Sequence, residues 1–147
     1  MVKPTRFKIL CKLVVVTMLV GCSGGVKVAP VDGTVTLDGK PLDKIMVEFW
    51  PDSVGPRAFG ETDSNGHFKL TTDDGKSEGA AIGLNRVTLK DLSVMGDKFM
   101  GRAAEHVNLS EGRKPRISNK FAQAESTPIN ETVVSGKKNE FIIEATK

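Results

Sequence analysis

Tyrosine is missing from this chain of 147 residues, tryptophan occurs once, and aromatic residues make up 5% of it. Cysteine and histidine occur twice each. A transition-metal centre of thiolate and imidazole would need nearly all of them at one point, so no metal site is expected. Nucleophile and phosphate motifs are lacking as well. There is no Gly-x-Ser-x-Gly elbow and no Gly-rich loop followed by Lys-Ser or Lys-Thr, so no catalytic residue and no cofactor is expected. Long hydrophobic runs are also absent. The longest, Leu13 to Val20, is broken by Thr17 and spans about 12 Å as a helix, against ~30 Å for a bilayer's hydrocarbon core. Finally, the body has no charge of one sign. The formal net charge of +3 comes from Lys3, Arg6, Lys8 and Lys12; without them 17 basic residues face 18 acidic ones. A near-neutral body gives nucleic acid no electrostatic attraction.

What is present begins with an address. A basic stretch from Lys3 to Lys12 followed by a short apolar run has the order of a secretory signal peptide, expected over residues 1–21. The run ends in Leu19-Val20-Gly21-Cys22, which resembles the lipobox of bacterial lipoproteins. The resemblance implies cleavage between Gly21 and Cys22, a thioether-linked diacylglyceryl group on Cys22, and a fatty acyl chain such as palmitate on its amine. Each buried CH₂ contributes ~0.8 kcal/mol, so two or three chains anchor firmly where one would not. Residues 22–27 then form a lipidated N-terminus and short linker. Cys11 lies inside the signal, so the exported body has no disulfide and relies on its core. The expected location is the cell envelope. Ser23 carries no acidic retention signal, so in a cell with two membranes the resemblance points to the outer one.

From Val26 onward the pattern has period two. Val31, Gly33, Val35 and Leu37 alternate with Asp32, Thr34, Thr36 and Asp38; Asp38-Gly39 supplies a tight turn, and Pro41 is expected to end the pairing. Ile45, Val47 and Phe49 share one face, with Met46, Glu48 and Trp50 on the other. Arg57 to Thr62 reads as a third strand, joined through the hairpin signal Asn65-Gly66 to a fourth that has Phe68 and Leu70 inside and His67, Lys69 and Thr71 outside. Val87 and Leu89 alternate with Arg86, Thr88 and Lys90 in a fifth. Ile129 to Val134 and Glu140 to Ala145 flank Ser135-Gly136-Lys137-Lys138 as a closing hairpin, with Phe141 and Ile143 inward. Seven short strands predict an all-β, seven-stranded sandwich of two sheets over residues 28–147.

Residues 91–123 break this pattern and read as an irregular insertion. Phe99, Ala103 and Val107 have the spacing of a short helix face, and Arg113, Lys114, Arg116 and Lys120 form a basic cluster that reads as a solvated surface. His67 and His106 read as exposed polar residues. Glu61 to Gly66 mimics half of a calcium loop, but the twelfth position is Thr72 instead of the required Glu, so a hairpin turn is expected. Lys44, Glu48 and Asn139 are conceivable members of an isopeptide bond, although the first strand has no Lys. Trp50 beside Pro51, with Met46 on the same face, offers a weak candidate ligand platform.

Three stretches together resemble a known family: Val31 to Leu42 (VDGTVTLDGKPL), Gly60 to Phe68 (GETDSNGHF), and Thr127-Pro128-Ile129. They are similar to the "V-x-G-x-V-x-x-x-G-x-P-L" opening and the "G-x-T-D-x-x-G-x-F" hairpin of transthyretin-like (prealbumin-like, carboxypeptidase-regulatory-like) domains. With the lipobox, the chain looks like a bacterial envelope lipoprotein carrying one such Ig-like sandwich. Asn85 stands where these domains often have Tyr. Their hydroxyisourate-hydrolysing members end in Tyr-Arg-Gly-Ser, whereas this chain ends Glu144-Ala145-Thr146-Lys147, so that activity is not implied. The resemblance implies a structural or partner-binding module. The expectation is a non-enzymatic, lipid-anchored envelope protein that meets the membrane through Cys22 and an envelope protein or glycan through its loops, chiefly Asp91 to Gln123. The alternative is an accessory module binding a glycan or small ligand through the Met46/Trp50 face.

Overall fold

Strict apolar–polar alternation gives two seven-residue strands that each bury every second side chain: Val31 and Val35 in the first, Ile45, Val47 and Phe49 in the second. The structure is a computed structural model and describes residues 26–94 and 114–147. Among these, the strands are β1 (Val28–Ala29), β2 (Val31–Leu37), β3 (Lys40–Pro41), β4 (Ile45–Pro51), β5 (Ala58–Glu61), β6 (His67–Lys69), β7 (Thr71–Thr72), β8 (Ala80–Ala81), β9 (Gly83–Asp91), β10 (Asn130–Val133) and β11 (Asn139–Ala145). Two single turns of 3-10 helix, Leu92–Val94 and Asn119–Phe121, are the only helical pieces among the described residues. The protein is an all-β sandwich. The seven strands read from the sequence correspond to β2, β4, β5, the β6–β7 run, β9, β10 and β11; β1, β3 and β8 are two-residue additions.

One sheet runs β10-β9-β4-β5-β7, antiparallel throughout. In the other, β11 lies parallel to β2, while β3 and β6 pair in succession along the opposite edge of β2. A separate two-stranded pair joins β1 to β8. Side chains from both sheets meet in one core that includes Val35, Ile143, Phe68, Ile45, Phe49, Val87 and Leu89. Phe49 of one sheet and Phe141 of the other stand 5.8 Å apart, ring centre to ring centre. Each such apolar side chain, fully buried, contributes about 1.5–3 kcal/mol, so this shared interior holds the layers together.

The turn chemistry fixes the register. Asp38 (φ 53°) and Gly39 (φ 73°) form the two-residue, doubly left-handed turn that suits strand twist, with Leu37 opposite Lys40. Pairing continues past the position where proline was expected to end it: Pro41 sits opposite Thr36, and the next amide, Leu42 N–H, donates to the Val35 carbonyl (3.0 Å). Proline is tolerated because β3 lies on an edge. The Asn65-Gly66 turn also forms, but its strands splay. Asp63 N–H bonds the His67 carbonyl, and Ala58 and Phe59 pair with Thr72 and Thr71, whereas between those ends β6 leaves β5 to pair with β2. Gly60 marks the point of closest approach, where a Cβ would lie 2.1 Å from the Lys69 carbonyl oxygen.

Three further expectations are corrected. The segments at 129–134 and 140–145 do not form a hairpin: β10 joins β9, and β11 joins β2 in the other sheet. Asn139 is buried at that crossover, where its side chain bonds the chain to itself. Its amide donates to the carbonyls of Val134, Lys137 and Pro30, and its Oδ1 accepts from Val134 N–H (2.9 Å). With its amide so engaged, Asn139 is no isopeptide partner. Thr88 lies on the outer face, as its alternation with Val87 and Leu89 predicts, but is buried there beside Trp50 and Glu48, which it bonds. The stretch 91–123 is not wholly surface, since Asp91 ends β9 in a buried position and Ile117 and Phe121 enter the core. The expected helix face of Phe99, Ala103 and Val107 lies outside the described residues, as do His106 and Arg113.

Candidate functional site

Two places in the fold gather polar side chains in an organised way. The first is the outer face of the five-stranded sheet, where register decides the neighbours. Trp50 lies opposite Arg86 of β9, Glu48 sits between Thr88 and Phe59, and Met46 between Lys90 and Glu61. Trp50 Nε1–H donates to Thr88 Oγ1 (3.3 Å), and the Thr88 hydroxyl donates to Glu48 Oε2 (2.9 Å). Lys90 Nζ donates to the same carboxylate oxygen at 2.9 Å. Burial alone would raise the Glu48 pKa, but these bonds outweigh it and hold the carboxyl below its ordinary value. Together they fix the indole in one orientation.

Arg57, just before β5, lays its guanidinium over that indole, 4.6 Å from the ring centre, while its Nε is 3.4 Å from Asp73 Oδ2. Stacking of this kind is worth ~0.5–1 kcal/mol at an exposed site. Glu48, Trp50, Arg57, Ala58, Phe59 and Asp73 line a shallow depression of about 200 Å³. Phe59 keeps 44% of its surface exposed beside it. Of the two face residues named from sequence, the structure puts Trp50 in this depression. Met46 is not among its lining residues, because the i to i+4 spacing on a strand carries it ~13 Å along β4.

The second place is the junction of β4, β9 and the segment after residue 113. Asp91, with 1% of its side chain exposed, accepts five hydrogen bonds. Ser93 supplies its N–H and hydroxyl; Arg116 supplies its N–H, Nε and one terminal nitrogen. The Arg116 guanidinium also donates to Asp43 Oδ1 (2.8 Å) and to the Asp43 carbonyl (2.6 Å). Burial would raise the Asp91 pKa, yet the bonds from Arg116 and Ser93 bring it down to about 2. Hydrogen bonding to Asp91 in turn drives the Arg116 pKa above its ordinary value. Next in the chain, Lys44 is held at φ 54° by bonds from Lys44 N–H to the Thr62 carbonyl and from Leu92 N–H to the Lys44 carbonyl. Arg116 was read from sequence as part of a solvated basic cluster; two carboxylates instead fold it into a structural clamp.

The remaining sequence candidates fall apart in space or in chemistry. His67 is exposed, with Nδ1 3.1 Å from Thr34 Oγ1. Asp63 Oδ1 accepts from the N–H groups of Asn65 and His67, so the calcium-like stretch is a self-satisfied turn. Asn85 is fully buried, and its amide bonds the carbonyls of Ala81 and Gly83 at 2.9 Å each. On the outer face of the smaller sheet, Lys138 Nζ is 2.6 Å from Asp32 Oδ2. Gly21 and Cys22 lie outside the described residues. Arg57, Phe59 and Asp73 were missed as site residues. Their signal was the strand pairing itself, since a third strand starting at Arg57 and folding back on β4 brings Arg57 level with Trp50. No family model, curated protein or solved structure matches the chain.

Proposed function

We propose that this chain is a non-enzymatic, lipid-anchored protein of the cell envelope, whose sandwich holds a partner-binding surface close to a membrane. The observation that carries the reading is the order of its N-terminus. A basic stretch, a short apolar run and Leu19-Val20-Gly21-Cys22 come directly before the first strand at Val28. The five residues from Ser23 to Lys27 span at most about 18 Å when extended, so a lipid on Cys22 would keep the sandwich beside the bilayer. Rigidity comes from the shared core, and recognition from the surface. The most perturbed carboxylate among the described residues, Asp91, supports a structural over a catalytic reading, since five donors saturate it.

Membrane fractionation of cells making the wild-type chain and Cys22→Ala tests this. Wild-type protein is expected in the detergent-extracted membrane fraction, and the variant in the soluble exported fraction. Equal partitioning of the two would refute anchoring at Cys22. A second reading, an accessory module that takes a ligand on its outer sheet face, is favoured by the depression beside Trp50, with its fixed indole, half-exposed phenyl ring and exposed ion pair.

A further inference from the structure

We infer that the depression at Trp50 and Phe59 binds a neutral saccharide ring; this deepens the second reading above and rests on it. Three features select that chemistry. The polar groups are already balanced, Arg57 against Asp73 and Lys90 against Glu48, so the site has no surplus charge to hold an ion. It nevertheless interleaves donors and acceptors. The Arg57 side chain is 53% exposed and offers donors, Asp73 beside it is 36% exposed and offers acceptors, and the Glu48 carboxylate lines the same depression. Vicinal hydroxyls, each both donor and acceptor, match such an array without any ionic partner. Third, Phe59 presents an exposed apolar ring within the same lining, the kind of surface on which the C–H face of a pyranose packs.

The energetics agree with exchange at this position. Half-exposed ion pairs contribute little net energy, so Arg57 can share its N–H groups between Asp73 and a sugar hydroxyl at little cost. The stack on Trp50 keeps the guanidinium extended over the sheet in the meantime, and Thr88 keeps the indole from turning. At about 200 Å³ the depression is smaller than the ~300–1,000 Å³ of drug-sized sites, which fits one ring of a glycan instead of an enclosed chain.

Trp50 is the chain's one tryptophan, so its fluorescence reports on this site alone. The full chain, held in a detergent without a sugar headgroup, is titrated with malto-, cello-, xylo- and chito-oligosaccharides of two to six units. Parallel arms use oligogalacturonates and an acidic peptide. The expected result is a saturable emission change with at least one neutral series. Half-saturation should weaken at least tenfold in Phe59→Ser and in Arg57→Ala, with unchanged circular dichroism and melting. Saturation by the acidic arms alone would overturn the neutral-saccharide assignment while keeping the face as a ligand site. No saturable change in any arm would overturn both, and a neutral response undiminished in Phe59→Ser would overturn the assignment of the ring's seat.

Discussion

Two arginines, each paired with a carboxylate, do opposite things in this molecule. Arg116 is drawn inward: it bonds Asp91 and Asp43 together, and 32% of its side chain stays exposed. Arg57 stays outward, 53% exposed, stacked on Trp50 with one loose contact to Asp73 at 3.4 Å. The difference teaches how one kind of ion pair divides between architecture and recognition. Where burial makes an unpaired charge expensive, every donor finds a partner and the pair becomes a clamp. Where water can take over either partner, the pair holds little energy and its groups stay open to exchange.

The contrast can be broken most decisively at Arg116. Arg116→Ala leaves Asp91 buried and uncompensated, which should cost about 3–5 kcal/mol of unfolding free energy in a urea titration. A loss below 1 kcal/mol would erase the distinction between the two arginines. Acid should act next. Because the folded Asp91 pKa is about 2, below its ordinary value of 3.8, its stabilisation is complete above the unfolded value and lost as pH falls from about 4 through about 2. The loss should amount to ~2 kcal/mol and be missing from an Asp91→Asn background, measured as the pH dependence of the urea midpoint.

Smaller effects sharpen the other side of the comparison. Thr88→Val removes an acceptor from Trp50 and a donor from Glu48, and should cost ~1 kcal/mol while shifting the tryptophan emission. A silent emission spectrum would show that Thr88 does not fix the indole. Arg57→Ala should change stability least, by under ~1 kcal/mol in the same urea titration. A larger loss would make Arg57 a clamp like Arg116.

Local pattern carried the strands, because a period of two survives wherever one face is buried, as in β2 and β4. Even Gly33 kept its place in that pattern. It stands at an inward position where a Cβ would meet the Phe68 ring at 2.9 Å and the Phe141 carbonyl at 2.2 Å. Sheet membership was far less legible. The Asn65-Gly66 turn and the polar turn after Val134 look alike in sequence, yet the first splays partway along and the second crosses between sheets. Asn139 is buried at the latter, bonded to Val134 and Lys137, and no local rule announces which asparagine will be buried. The clamp was illegible for a similar reason: Asp43, Asp91 and Arg116 lie far apart in the chain. It takes the β4–β9 pairing to set Asp43 beside Asp91, and the return of the segment after residue 113 to bring Arg116 to 2.8 Å from each. Trp50 was visible as an unusual residue on a strand's outer face, whereas its partner Arg57 required the pairing of β4 with β5.

An intact mass of the protein extracted from membranes tests the proposed anchoring most directly. The expected mass is that of residues 22–147 carrying a diacylglyceryl thioether on Cys22 with an acylated amine. The bare polypeptide mass with residues 1–21 still attached would contradict it.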